Sequence, residues 1–321
     1  MIGGLPRSFK LVAVWLLLAL HGAAGAQATD CPPAASEPTP AQMQAGMKAA
    51  RDRGFLWRLR QNGRDSWLYG TVHVARFEWM FPGPTVLAAL KASDTIALEL
   101  DLLDPDIQRR MAQGIAASTG APLPEPLQQR VLRQAEAACL PAQVLEPLSP
   151  ELQVATLEGL IGRRDGLDPS YGIDVMLAGW ARGAARPVIS LETPELQLAI
   201  LTMPTRAETI EFVTSSLAEM EAGRARPALK RIAQVWADGD LATLARYESW
   251  CGCIKTPADR AALARLLDAR NPALANSIAA LHGSGQRVFA AVGSLHMIGP
   301  LGLPALLAQR GFEVQRIQRS R

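Results

Sequence analysis

Histidine is scarce in this chain, with 4 in 321 residues, and cysteine is equally scarce at 4. Neither sign of charge dominates: 33 Lys and Arg face 30 Asp and Glu, a formal net charge of +3. The arginines are scattered among acidic residues, so the basic stripe that nucleic acid requires is missing. The sequence has no P-loop, no dinucleotide G-x-G-x-x-G, no G-x-S-x-G elbow and no H-E-x-x-H helix. Their absence removes the usual signatures of nucleotide hydrolysis, hydride transfer, serine-esterase chemistry and zincin chemistry. The apolar run LVAVWLLLAL, residues 11–20, is shorter than the ~20 residues that a bilayer span needs. No stable membrane span is expected once that segment is cleaved away. At 49% hydrophobic and 20% charged residues, the composition is that of a globular protein with a substantial core.

What is present begins with a leader. Arg7 and Lys10 form a positive region ahead of the apolar run, and Ala24-Gly25-Ala26 fits a small-residue cleavage site. A signal peptide over residues 1–26 and a periplasmic or secreted mature protein are therefore expected. Asp30 stands where a lipidated Cys31 would need a small residue. In an oxidising compartment the four cysteines, Cys31, Cys139, Cys251 and Cys253, point to disulfides. Cys251 and Cys253 are separated only by Gly252, and a bond between them closes a very small ring. Pairing of Cys31 and Cys139 with the Cys251/Cys253 segment is the expectation, with a metal–thiolate site as the rival.

Residues 27–40 are proline-rich and read as a lead-in, and 41–321 as one domain. FLWRLRQNGRDSWLYGTVHV predicts two strands joined at Asn62-Gly63, a strong hairpin signal. Further strands are expected at TIALEL (95–100), VISLE (188–192), 287–292 and FEVQRI (312–317). Helical periodicity fills about 104–185 and 195–283. The order predicts an α/β fold with a large helical insertion in the middle.

One echo runs across the chain. Gly70-Thr71-Val72-His73 and Gly293-Ser294-Leu295-His296 both read G-x-x-H, both follow apolar strand residues, and both carry a hydroxyl after the glycine. Composition alone predicts about 0.3 such motifs in the chain. A glycine at a strand end lets another group approach closely, and α/β sheets build their sites at the carboxyl ends of strands. Glu99 interrupts an apolar strand and Glu192 ends another, and a buried carboxylate needs a partner. His73, Glu99 and His296, with Glu192 as base or extra ligand, suggest a divalent transition-metal site of Mn, Co or Zn that activates water. Arg270 and Asn271 could supply donors to a developing oxyanion, or could be a surface charge and a helix cap.

Taken together, WLYGTVHV, ALELD, YGIDVMLAGWA, RPVISLETPELQL, DARNPALANSI and VFAAVGSLHMIGPLGL resemble the TraB/GumN family, which includes the Tiki-type metalloproteases. The resemblance runs from about residue 55 to the C-terminus. It implies an α/β fold of the erythromycin-esterase/ChaN-like kind, a central mixed β-sheet flanked by helices, and metal-dependent peptide hydrolysis using His73, His296 and Glu99. It also raises the standing of Arg270, Asn271 and Glu192. The expected function is an exported metal-dependent hydrolase acting on a peptide or protein. The alternatives are a periplasmic binding protein for haem, metal or peptide, and an accessory protein of a cell-surface polysaccharide system.

Overall fold

The structure is a computed structural model that describes residues 31–118 and 120–318. The expected signal peptide, residues 1–26, lies outside the described residues. Alternating apolar positions build a hairpin from β1 (Phe55–Gln61) and β2 (Arg64–Thr71), in antiparallel register from Phe55↔Gly70 to Gln61↔Arg64. Asn62 and Gly63 turn it with φ of 51° and 72°, the two positive values that a tight hairpin turn demands. Four strands follow: β3 (Thr95–Leu98), β4 (Val188–Ser190), β5 (Val288–Gly293) and β6 (Glu313–Arg316). They complete a six-stranded mixed sheet in the order β4-β3-β5-β2-β1-β6.

Strands β4, β3, β5 and β2 are parallel neighbours, whereas β1 runs antiparallel to both β2 and β6. The chain reaches β3 from β2 by crossing over the position that β5 later fills. The carboxyl ends of the four parallel strands therefore share one edge, and the residues that follow those ends are brought together there. Strand β5 is central and apolar on both faces, with Val288 through Val292 fully buried.

Helices on either side bury apolar faces on the sheet. The helix Ile173–Gly183 contributes Ile173, Leu177, Ala178 and Ala181, and Asn271–Gly283 contributes Leu274, Ala275 and Ile278. Each fully buried leucine or phenylalanine in such a core stabilises it by about 1.5–3 kcal/mol. The helical insertion forms a second apolar cluster of its own, in which Val131, Leu152, Val154, Val213 and Leu217 pack together. Local chemistry starts these helices where the sequence suggests. Thr193 accepts from the amide of Leu196 with Pro194 in the first turn, and Asp240 accepts from the amide of Thr243. Among the described residues no helix is long and apolar enough to cross a membrane.

The third described histidine, His282, sits outside both motifs and is fully buried near the end of its helix. Its Nδ1 lies 2.8 Å from the Ser66 hydroxyl, which also accepts the Val288 amide, and its Nε2 lies 3.1 Å from the Gln61 carbonyl. It ties β1, β2 and β5 to one helix and has no part in the G-x-x-H pair.

The expected disulfide pairing is corrected by the structure. Cys31 bonds Cys139 across 108 residues, and Cys251 bonds Cys253. The short ring forms because Gly252 adopts φ +67°, a conformation glycine reaches without a Cβ penalty, which turns the two cysteines toward each other. No described cysteine is free, so the metal–thiolate alternative has no thiols to draw on among the described residues.

Candidate functional site

His73 lies two residues beyond β2, with its side chain 68% exposed. Its Nδ1 faces a carboxylate oxygen of Asp174 at 2.7 Å, and the other oxygen of Asp174 accepts from the Thr71 hydroxyl at 2.7 Å. Asp174 stands in the first turn of the helix Ile173–Gly183, whose leading amide donates to the Val72 carbonyl at 3.0 Å. The helix start is thereby stitched to the strand exit, and the carboxylate fixes the ring with Nδ1 protonated and Nε2 turned to the sheet edge. The Asp174 charge pushes the His73 pKa up to about 9. The sequence offered one faint sign of Asp174, an acid in the first turn of a predicted helix, and that pattern more often serves the helix alone.

His296 follows β5 and is buried. Its Nδ1 lies 2.5 Å from Asn271 Oδ1, an atom that only accepts, so the proton is assigned to Nδ1 and the Nε2 lone pair is left facing Arg270 Nη1 at 3.2 Å. Burial pushes its pKa down to about 4, with Arg270 adding to the effect against the pull of Glu99. The two motif histidines thus look alike in sequence and differ in state: one is exposed and basic, the other buried and neutral.

Glu99 and Glu192 leave the ends of β3 and β4 side by side, joined by the Glu192 amide to the Glu99 carbonyl at 3.0 Å. Both are buried. Arg270 lies between them. Its Nε donates to Glu192 Oε1 at 2.8 Å, and its Nη2 donates to Glu192 Oε2 and Glu99 Oε2, each at 2.5 Å. Its Nη1 serves the Leu266 carbonyl at 3.0 Å and His296 Nε2. All five guanidinium N–H groups therefore have acceptors inside the protein. Gln197 of the helix Pro194–Leu201 donates to both glutamates, at 3.3 and 3.1 Å. Burial alone would raise the Glu99 pKa, but His73, His296 and Arg270 outweigh it and hold it down at about 2.

The remaining oxygen, Glu99 Oε1, accepts the Gly293 amide at 2.7 Å. A methyl group placed on Gly293 would lie 3.3 Å from Glu99 Oε1, 3.7 Å from His73 Nε2 and 3.7 Å from His296 Cδ2. Residues from three strand ends therefore meet at one small volume, which the missing side chain of Gly293 leaves open. Gly70 has a different use. A methyl group there would crowd Ser294, Met297 and Phe55 at 3.1–3.3 Å, so that glycine serves close packing. Its carbonyl accepts the Trp236 indole N–H at 2.7 Å. The motif hydroxyls are also structural: Thr71 holds Asp174, and Ser294 donates to the Thr71 carbonyl at 2.7 Å.

The expected residues His73, Glu99, Glu192, Arg270, Asn271 and His296 all lie at this edge. His73 and Glu99 present polar atoms to the open point. Glu192 spends both carboxylate oxygens on Arg270. Asn271 orients His296 through Oδ1 and donates one amide hydrogen to the Leu301 carbonyl at 2.8 Å. Among the described residues no three His, Cys, Asp or Glu side chains form a group able to hold a metal ion. The expected ligands His73, Glu99 and His296 converge, yet the positive charge between Glu99, Glu192 and His296 is a guanidinium. It takes a Glu99 oxygen and the His296 lone pair that a metal would need, so the donor set as it stands does not fit a divalent ion.

Comparison with known proteins supplies one match. The family model described as the TraB/PrgY/gumN family matches residues 55–316. No curated protein and no solved structure gives a significant match. The matched span contains every residue of the strand-edge cluster, and the chain belongs to the TraB/PrgY/gumN family.

Proposed function

From that family membership and the cluster at the sheet edge, we propose that this protein is an exported hydrolase acting on peptide bonds, with His73 and Glu99 as its acid–base pair. The observation that carries the reading is the shared approach of His73 Nε2 and Glu99 Oε1 to the open point at Gly293. Two titratable groups whose environments push their pKa values far apart are the mark of an acid and a base sharing one site. His73, raised to about 9, carries a proton at neutral pH and donates it to the leaving nitrogen. Glu99, held at about 2, is ionised when the water attacks; its Oε1 takes the water's proton as the C–O bond forms and passes it to the His73 imidazole left neutral when the C–N bond breaks, which restores both groups. Asp174 fixes the His73 ring, and Arg270, Glu192, Asn271 and His296 hold Glu99 in place. Export is supported by the leader-like start of the sequence and by the Cys31–Cys139 disulfide.

A peptide-library digest with the purified mature chain tests this. Cleavage is expected with a chelator present, and His73→Ala and Glu99→Gln are each expected to lower kcat by about 10²–10⁴. Activity in His73→Ala equal to the parent overturns the acid–base assignment. Loss of cleavage in chelator with recovery in Mn, Co or Zn returns the reaction to the metal-dependent form. Stoichiometric peptide binding without any turnover instead identifies a binding protein.

A further inference from the structure

Near the same edge lies a second feature that the acid–base pair does not use. A cavity of about 390 Å³ is lined by Arg51, Arg53, Arg76, Trp79, Asp52 and Asp238, among others. Three guanidinium groups thus face two carboxylates. Both carboxylates already have donors: Asp52 accepts the amides of Thr85 and Val86 at 3.0–3.1 Å, at the start of the helix Pro84–Ala92, and Asp238 accepts from Gln234 at 2.9 Å. Arg53 Nη1 is steered by the carbonyls of Arg51 and Glu78 at 3.4 and 3.3 Å. Arg76 lies with its guanidinium carbon 5.5 Å from the centre of the Trp79 ring, which orients it. Its Nε is buried with no hydrogen-bond partner, and Glu78 stands 3.9 Å from its Nη1, beyond hydrogen-bond reach. A buried guanidinium N–H without an acceptor costs free energy.

We propose that this cavity is an anion subsite that takes the C-terminal carboxylate of a peptide substrate. The assignment of a peptide rests on the hydrolase reading above. A carboxylate carries one negative charge and two coplanar oxygens, which suit guanidinium donors. The cavity is coupled to the reacting edge. Arg76 follows His73 by three residues, so their Cα atoms lie within about 11 Å. Trp79 packs on Trp236 at 5.8 Å between ring centres, and Trp236 donates to the carbonyl of Gly70 in the first motif. A chain end held by Arg76 therefore presents peptide bonds close to its carboxyl terminus to His73.

Equilibrium binding to the full mature chain, read by tryptophan fluorescence, tests the subsite without requiring turnover. The probes are N-acetyl-trialanine with a free carboxylate, the same peptide as its C-terminal amide, and inorganic phosphate. The free carboxylate is expected to bind at least ten-fold more tightly than the amide, and more weakly at high salt. Arg76→Gln is expected to reduce that preference to less than two-fold, whereas His73→Ala retains it. Equal binding of acid and amide, no saturable binding by either, or a preference that survives in Arg76→Gln overturns the subsite. Tighter binding of phosphate than of the peptide carboxylate overturns the peptide assignment. A preserved carboxylate preference in a chain that cleaves nothing would leave the subsite standing and remove the hydrolase reading alone.

Discussion

Arg270 organises the site as one buried cation shared by two buried carboxylates and a neutral imidazole. Removing one member of such a group leaves uncompensated charge in the interior, which typically costs about 3–5 kcal/mol. Arg270→Met is accordingly expected to lower the free energy of unfolding by that amount in urea denaturation. Adding Glu99→Gln and Glu192→Gln to the same chain is expected to recover much of the loss, because no charge is then stranded. A loss below about 1 kcal/mol in Arg270→Met would show that the ion group contributes little. The candidates at this scale were legible because histidine is rare and a strand glutamate is conspicuous. Their division of labour was not. Whether Arg270 donates to a substrate or to Glu192 depends on which acceptors the fold brings within 3 Å, and spacing in the chain carries no such information.

The elements were read most clearly where local chemistry decides them. The Asn62-Gly63 turn and the apolar run of β5 form where expected. The disulfide pairing escaped because it turns on one backbone angle at Gly252 and on where Cys139 comes to lie. His282 supplies a test of how the elements are joined. Burial lowers its pKa from 6.5, with the nearby Arg64 charge adding to that effect. The unfolded chain then binds the proton more readily than the folded one, so stability is complete above about pH 6.5 and falls as pH drops below it. His282→Gln is expected to flatten that acid limb of the stability profile while lowering stability at neutral pH by about 1–3 kcal/mol through the lost Ser66 and Gln61 contacts. An acid limb of unchanged slope in the variant would assign it to other groups.

Across the whole molecule, a sheet core and a separate helical cluster are joined at the glutamate strands, where Gln197 of the insertion reaches both Glu99 and Glu192. The alternation of strand and helix patterns announced this α/β plan, while the strand order β4-β3-β5-β2 did not follow from it. That order places the ends of β5 and β2 next to each other and explains why motifs so distant in sequence converge. The Cys31–Cys139 bond closes a loop of 108 residues, and a disulfide across so long a loop typically stabilises by about 2–5 kcal/mol. Reduction, or Cys31→Ser with Cys139→Ser, is expected to lower the free energy of unfolding by that amount, whereas Cys251→Ser with Cys253→Ser changes it little. The reverse ranking would contradict the pairing.

The proposed hydrolysis places its reacting atoms at the open point beside Gly293. Its φ of −49° is ordinary for any residue, and an added methyl group would meet Glu99 Oε1 at 3.3 Å and His73 Nε2 at 3.7 Å without striking the backbone. The direct test is peptide turnover by Gly293→Ala, measured beside its urea unfolding curve. Unfolding within about 1 kcal/mol of the parent and a loss of at least about 100-fold in kcat/KM are expected. A Gly293→Ala chain that folds equally well and cleaves at the parent rate would place the chemistry elsewhere.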